Sequence, residues 1–179
     1  VVEVARCQGV AERVAVLVTA GEGGLRPELV AAGGQTRDGA VQEMDGPGVD
    51  AIALALGMSY VYYPAAVHPT GGQDFGNAVL VRGRILRDGK VFLPHLSRGR
   101  AMQRVATWGD VDVDGVRFRT YSLHLSADAE MSRRKRLDQV RAVIVHAREH
   151  PGPVVVAGDF NDRGAGGYAF ESAGYEWVS

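Results

Sequence analysis

The sequence predicts an α/β domain whose sheet is mixed rather than purely parallel. Three observations predict it. Short apolar runs of strand composition alternate with segments of helical spacing. Two β-rich runs, residues 104–113 and 116–125, are joined by Asp114-Gly115, the dipeptide of a tight hairpin. An apolar run at 154–157 follows a long amphipathic segment, so strands and helices alternate although one strand pair is a hairpin.

Length and composition bound the rest. A chain of 179 residues holds one real core and is too short for two full domains. It is 46% hydrophobic and carries both charge signs, a globular composition. The formal net charge is −1, so nucleic acid is not drawn in by a global basic field and would need a local patch. Arginine greatly outnumbers lysine, which reads first as a coding bias. Cys7 is alone, so no internal disulfide forms. That suits a reducing compartment and slightly favours the cytoplasm, with secretion left open. No apolar run is long enough to span a bilayer, and no signal peptide is evident in a chain that starts at Val1. Oligomeric state is not legible.

Taken in order, the first forty residues carry weak signals. Residues 11–19 suit a helix or a strand, and the glycines at 21, 23 and 24 interrupt them. Residues 27–32 have Pro27 where a helix would begin. Residues 40–44 read as a short buried strand ending in polar groups. Residues 49–56 have helical spacing and stop at Gly57. Residues 60–63 and 78–81 are strands, 70–74 a loop, and 83–90 a turn-rich connection. On the second hairpin strand Phe118, Thr120, Ser122 and His124 share a face. Residues 127–149 form a helix with Leu137, Val140, Ile144 and Ala147 as its apolar stripe, stopped by Pro151-Gly152. The strand at 154–157 ends in Gly158-Asp159-Phe160-Asn161. There is no internal repeat.

Several residues could carry chemistry, and each also has a plain structural reading. If the backbone stays extended, Asp159 and Asn161 point one way and Phe160 into the core. A carboxylate can bind a hard cation or activate water, and an amide can donate to a phosphate oxygen. The plain reading is a turn after a strand. Glu43 ends an apolar run, where a carboxylate is unusual unless paired or metal-bound; otherwise it opens the loop at 45–48. His124, between Leu123 and Leu125, is a proton or hydrogen-bond donor, or a satisfied core histidine. Asn77, after Gly76, is a phosphate contact or part of a turn. The basic run at 133–136 reads as a solvated helix face, since no neighbouring aromatic platform supports nucleic-acid binding.

The order of these segments resembles the endonuclease/exonuclease/phosphatase (DNase I-like) superfamily. Val41-Gln42-Glu43-Met44-Asp45 is similar to its Gln-Glu-Val motif. Phe75-Gly76-Asn77-Ala78-Val79-Leu80 looks like the segment that follows in many bacterial members. Tyr121-Ser122-Leu123-His124-Leu125 resembles the strand with the first active-site histidine. Arg136 and Gln139 fall where the next helix often has Arg and Gln. Gly158-Asp159-Phe160-Asn161-Asp162 matches the Gly-Asp-Phe/Leu-Asn motif, the most specific of the set.

The resemblance implies a DNase I-like α/β sandwich, two mixed sheets face to face with helices outside. It implies hydrolysis of a phosphate ester by activated water with Mg²⁺ or Mn²⁺. Glu43 would be the metal ligand, and His124 would donate to the phosphate or its leaving oxygen. Asp159 would orient or deprotonate water, Asn161 would bind a phosphate oxygen, and Asn77 would make a substrate-side contact. Family substrates include nucleic acids, inositol phosphates and sphingomyelin. Two features depart from the pattern. No asparagine precedes Asn77, where the family has one on its first strand. No Ser-Asp-His motif follows Asp159, and the last histidine is His150. The expectation is therefore one domain over 1–179, with residues 1–40 atypical and the C-terminal end truncated. The alternative function is a non-catalytic remnant of the fold.

Overall fold

Alternation along each strand sorts side chains onto two faces, and the central strands bury one face against the other sheet and one against helices. The computed structural model describes residues 3–7, 17–19, 38–67, 74–97, 103–127, 129–161 and 164–178. In chain order the elements are β1 (Glu3–Cys7), β2 (Leu17–Thr19), β3 (Asp38–Met44), α1 (Gly46–Leu56), β4 (Ser59–Val67), β5 (Asp74–Val81), β6 (Arg84–Leu96) and β7 (Gln103–Val113). They continue with β8 (Val116–His124), α2 (Arg133–Arg148), β9 (Val154–Asp159), α3 (Ala165–Ser172) and β10 (Tyr175–Val178).

Two sheets result. One has six strands in the order β10-β1-β9-β8-β7-β6, the other four in the order β2-β3-β5-β4. Both are mixed: β8–β9 and β2–β3 are parallel, and the remaining pairs are antiparallel. Between the sheets lie Val81, Val111, Val113, Phe118 and Val155. On the outer face of the smaller sheet, Ala78 and Leu80 meet Val49 and Ala53 of α1. On the outer face of the larger sheet, Tyr121, Leu123 and Val156 meet Val140, Val143, Ile144 and Ala147 of α2 and Phe170 of α3. The predicted sandwich with outer helices is thus present. Each fully buried large side chain in these layers contributes about 1.5–3 kcal/mol.

Local chemistry explains most boundaries. Asp45 caps α1 by accepting the Gly48 N–H at 2.8 Å, and Gly57 ends it in a left-handed conformation. Asp114 and Gly115 both take positive φ, as a two-residue hairpin requires.

Four expectations need correction. Of residues 83–90, read as a turn-rich connection, only Gly83 lies in a bend; 84–90 are the first seven residues of the 13-residue strand β6. Gly89 misled the reading; it faces Trp108, and a Cβ there would lie 2.7 Å from the indole ring. The helix expected at 127–149 begins only at Arg133. Residues 129–131 turn instead, with the Glu130 and Met131 N–H groups donating to the Ala127 carbonyl, and Ser132 stands at the cap position. The basic run at 133–136 is solvated only in its first three members. Arg136 is buried and donates to the Met131 carbonyl at 2.7 Å. Asp74, read as loop, begins β5. Of the weak N-terminal signals, 17–19 is strand β2, while 11–16, 27–32 and the Thr70 to Gln73 part of the loop lie outside the described residues.

The tightest contact between strands is at β8 and β9. A Cβ on Gly158 would sit 1.9 Å from the Leu123 carbonyl oxygen. Gly158→Ala therefore lowers stability by at least about 2 kcal/mol in urea unfolding. Gly57→Ala is the control: φ is 61° but nothing lies within 4 Å, so the loss is about 1 kcal/mol. Equal losses would contradict the close approach.

Candidate functional site

Parallel neighbours β8 and β9 end at the same edge of the larger sheet, so whatever terminates one sits beside whatever terminates the other. The register pairs His124 with Asp159, and the Leu125 N–H donates to the Asp159 carbonyl at 2.9 Å, extending the ladder by one bond. Parity does the rest. Phe118 faces the second sheet, so His124 does too. Its Nε2 lies 3.9 Å from Asp159 Oδ2. The histidine is buried, while the Asp159 side chain remains 39% exposed.

Asn161 joins them by a route the sequence reading did not foresee. The backbone does not stay extended past Asp159. Asn161 has φ 45°, and its N–H folds back onto Asp159 Oδ1 at 2.9 Å. Asparagine tolerates this conformation better than most residues. Phe160 is buried, as expected, edge-on to Phe170 and Trp177, and pins the turn. The Asn161 Nδ2 donates to the Leu125 carbonyl at 2.8 Å and lies 2.9 Å from His124 Nε2. The carbonyl needs a donor, which sets the orientation of the amide.

Two residues that the sequence reading passed over complete the arrangement. Arg104 is buried on β7, with Nη1 3.2 Å from His124 Nδ1 and Nη2 3.2 Å from Glu130 Oε2. A guanidinium only donates, so Nδ1 accepts from Arg104, while Nε2 lies between the Asn161 amide nitrogen and the Asp159 carboxylate. Burial, and then the Arg104 charge, push the His124 pKa down to about 4, against the pull of Asp159 and Glu130. At neutral pH the His124 ring is uncharged. Arg104 was legible as a charged residue entering the apolar run Val105-Ala106; Glu130, in a turn, offered no signal.

The other two predicted residues sit nearby in different ways. Asn77 is only 4% exposed; its Nδ2 donates to the Val105 carbonyl at 2.8 Å, and its own carbonyl accepts from Thr107 Oγ1 at 3.0 Å. It ties the two sheets together one residue from Arg104. Glu43 is the penultimate residue of β3, within a bulge between Val41 and Met44, and its side chain lies outside the described residues. Its strand packs across β8 and β9. Met44 pairs with Gly76, Asn77 bonds to Val105, and Arg104 contacts His124, so the end of β3 lies at the His124 end of the sandwich. Glu3 of β1, another position not foreseen, pairs with Gly158 there. Among the described residues no group of three or more His, Cys, Asp or Glu could hold a metal. The carboxylates placed at this end, Asp159 and by strand position Glu43, are hard oxygen donors of the kind Mg²⁺ prefers.

Comparison with known proteins gives a consistent picture. The profile of the Endonuclease/Exonuclease/phosphatase family matches residues 22–176. An endonuclease/exonuclease/phosphatase family protein from Bacteroides thetaiotaomicron superposes with TM-score 0.61 at 21% identity, covering 77% of this chain and 55% of that one. The human Nocturnin catalytic domain with bound sulfate gives TM-score 0.61 at 18% identity, over 76% and 55%. Sphingomyelinase C from Streptomyces griseocarneus gives 0.60 at 19%, over 77% and 56%. The chain thus spans a little over half the length of these structures. No curated protein matches it.

Buried His124 and half-buried His146 and His150 make stability depend on pH in a defined window. The pKa of His124 is lowered, and those of His146 and His150 are lowered chiefly by burial. The native state therefore binds fewer protons than the unfolded chain below about pH 6.5. Stability is full above that value and is lost as pH falls from about 6.5 toward 4. Each unit of depression contributes about 1.4 kcal/mol at most. Asp110, Asp112 and Asp138, whose pKa values are also lowered, act at still lower pH. Urea midpoints measured from pH 8 to 4 should fall in that window, and His124→Gln should flatten the fall. A flat profile would contradict the assignment.

Proposed function

Because this chain belongs to the endonuclease/exonuclease/phosphatase family and gathers His124, Asp159 and Asn161 at one sheet end, we propose that it hydrolyses a phosphate ester by attack of water, with Mg²⁺ or Mn²⁺ as cofactor. The observation that carries the reading is the convergence of three motif side chains: His124 Nε2 lies 3.9 Å from the part-exposed Asp159 carboxylate and 2.9 Å from Asn161 Nδ2. In-line attack at phosphorus builds negative charge on the phosphoryl oxygens. His124 donates to one of those oxygens or to the leaving oxygen. Asp159 accepts from the attacking water and orients it. Asn161 positions His124, and its amide would bind a phosphate oxygen in place of that contact. Arg104 is a positioning residue, acting through the histidine tautomer. Asn77 acts at one remove, by holding the β7 backbone beside Arg104 against the second sheet. Glu43 would hold the divalent cation, which supplies charge neutralisation at the phosphoryl oxygens. Sphingomyelinase C and Nocturnin stand among the similar structures, and the substrate class of this chain is chosen by neither.

The test is hydrolysis of bis(p-nitrophenyl) phosphate with Mg²⁺ or Mn²⁺. Asp159→Ala should lower kcat/KM by about 10²–10⁴-fold with unchanged circular dichroism, and chelation should abolish turnover. A folded protein whose rate is indifferent to Asp159→Ala would overturn the reading. Arg104→Gln removes a positive neighbour from His124, so the acidic limb of the pH–rate profile should move to higher pH. An unmoved limb would show Arg104 to be structural only.

A further inference from the structure

Helices α2 and α3 lie on the outer face of the larger sheet, and each follows the strand that bears a site residue: α2 after β8, α3 after β9. Both therefore start at the site end. Between them runs a groove of about 870 Å³, and Gly164, three residues beyond Asn161, lines it. Ile144 and Val145 make part of an apolar wall. Arg133, Arg141 and Arg148 line the same groove from α2, and Tyr168 lines it from α3. No acidic residue is among the described residues that line it.

The spacing of the arginines carries the argument. Steps of eight and seven residues keep all three within roughly a quarter-turn of one helix face and about 10–12 Å apart along it. Helix α2 carries six basic residues and one acid, Asp138. That acid bonds Arg141 at 3.1 Å and His95 at 3.0 Å, so one rail arginine is held in place while its side chain stays 66% exposed. Tyr168 is 74% exposed on the opposite wall. The aromatic platform missing from the sequence around 133–136 is thus supplied by a residue more than thirty positions away.

A regularly spaced cationic rail facing an exposed ring above an apolar floor matches a ligand with repeating charges and unpaired planar groups. We propose that the α2–α3 groove binds single-stranded nucleic acid, phosphates along the arginines and a base on Tyr168. A duplex keeps its ring faces stacked inside, an acidic peptide lacks them, and an anionic membrane is too flat to enter a groove. A strand leaving the catalytic end could enter at Gly164; only that link rests on the hydrolytic reading.

Binding is measured by fluorescence anisotropy of a labelled oligothymidylate of about 12 nucleotides, using the whole chain in chelator so that nothing is turned over. With three phosphates neutralised, log K should fall with log salt at a slope near −2. Arg141→Gln with Arg148→Gln should weaken binding at least tenfold and cut the slope to about −0.7. Tyr168→Ala should weaken it about tenfold at unchanged slope, and Tyr168→Phe should restore it. Asp159→Ala should bind as wild type even if hydrolysis is lost, which separates this proposal from the catalytic one. Failure to bind at 50 mM salt, or binding indifferent to these groove variants while they remain folded, would overturn it. So would polyglutamate or phosphatidylglycerol vesicles competing as well as the oligonucleotide.

Discussion

The functional end of the molecule depends on the parallel pairing of β8 with β9 at van der Waals limits. Gly158 has no side chain, so its backbone can lie against the Leu123 carbonyl where any Cβ would collide. That contact brings the two strands into a register that sets His124 opposite Asp159. The next residues exploit it: Phe160 is buried among aromatic rings, and the chain turns through Asn161 so that its amide returns to the Leu125 carbonyl and the His124 ring. One strand pairing, one glycine and one buried phenylalanine therefore place three polar side chains at a single point. Moving the register by one residue would turn His124 toward the helices and dissolve the cluster.

Around this point the sandwich becomes polar without becoming wet. The inward face of β8 runs from Phe118 through Thr120 and Ser122 to His124, all buried. Arg104 enters the same layer and is held by Glu130, while Asn77 bridges to the second sheet. Buried polar groups destabilise unless satisfied, and Asn77 Nδ2, Arg104 Nη1 and Nη2, and Asn161 Nδ2 each meet a partner. The same low-dielectric surroundings keep His124 uncharged, because burial and Arg104 both oppose its protonation. A neutral imidazole beside a part-exposed carboxylate is thus a consequence of packing rather than of the histidine alone.

Much of this was legible in the sequence, and the parts that were not have physical reasons. Period-two alternation identified the inward face of β8 down to His124, and Asp114-Gly115 marked the hairpin, because both signals are local. The motif at 158–161 was legible as a candidate, but its geometry was not: a positive φ at Asn161 is set by the burial of Phe160, a long-range effect. Gly89 looked like a turn because its true partner, Trp108, lies on the neighbouring strand. Asn77 and Arg104 act between strands distant in sequence, and Glu130 acts from a turn with no pattern of its own. Tyr168 reaches the basic helix only through tertiary packing.

The central claim is that His124 and Asn161 act as one unit assembled by the β8–β9 pairing. A double-mutant cycle on kcat/KM for bis(p-nitrophenyl) phosphate, with His124→Gln, Asn161→Ala and the double variant, tests it most directly. The account predicts strong non-additivity, the double variant being little worse than the more damaging single one, with a coupling of at least about 1 kcal/mol. Additive losses, or turnover that neither substitution affects, would contradict it.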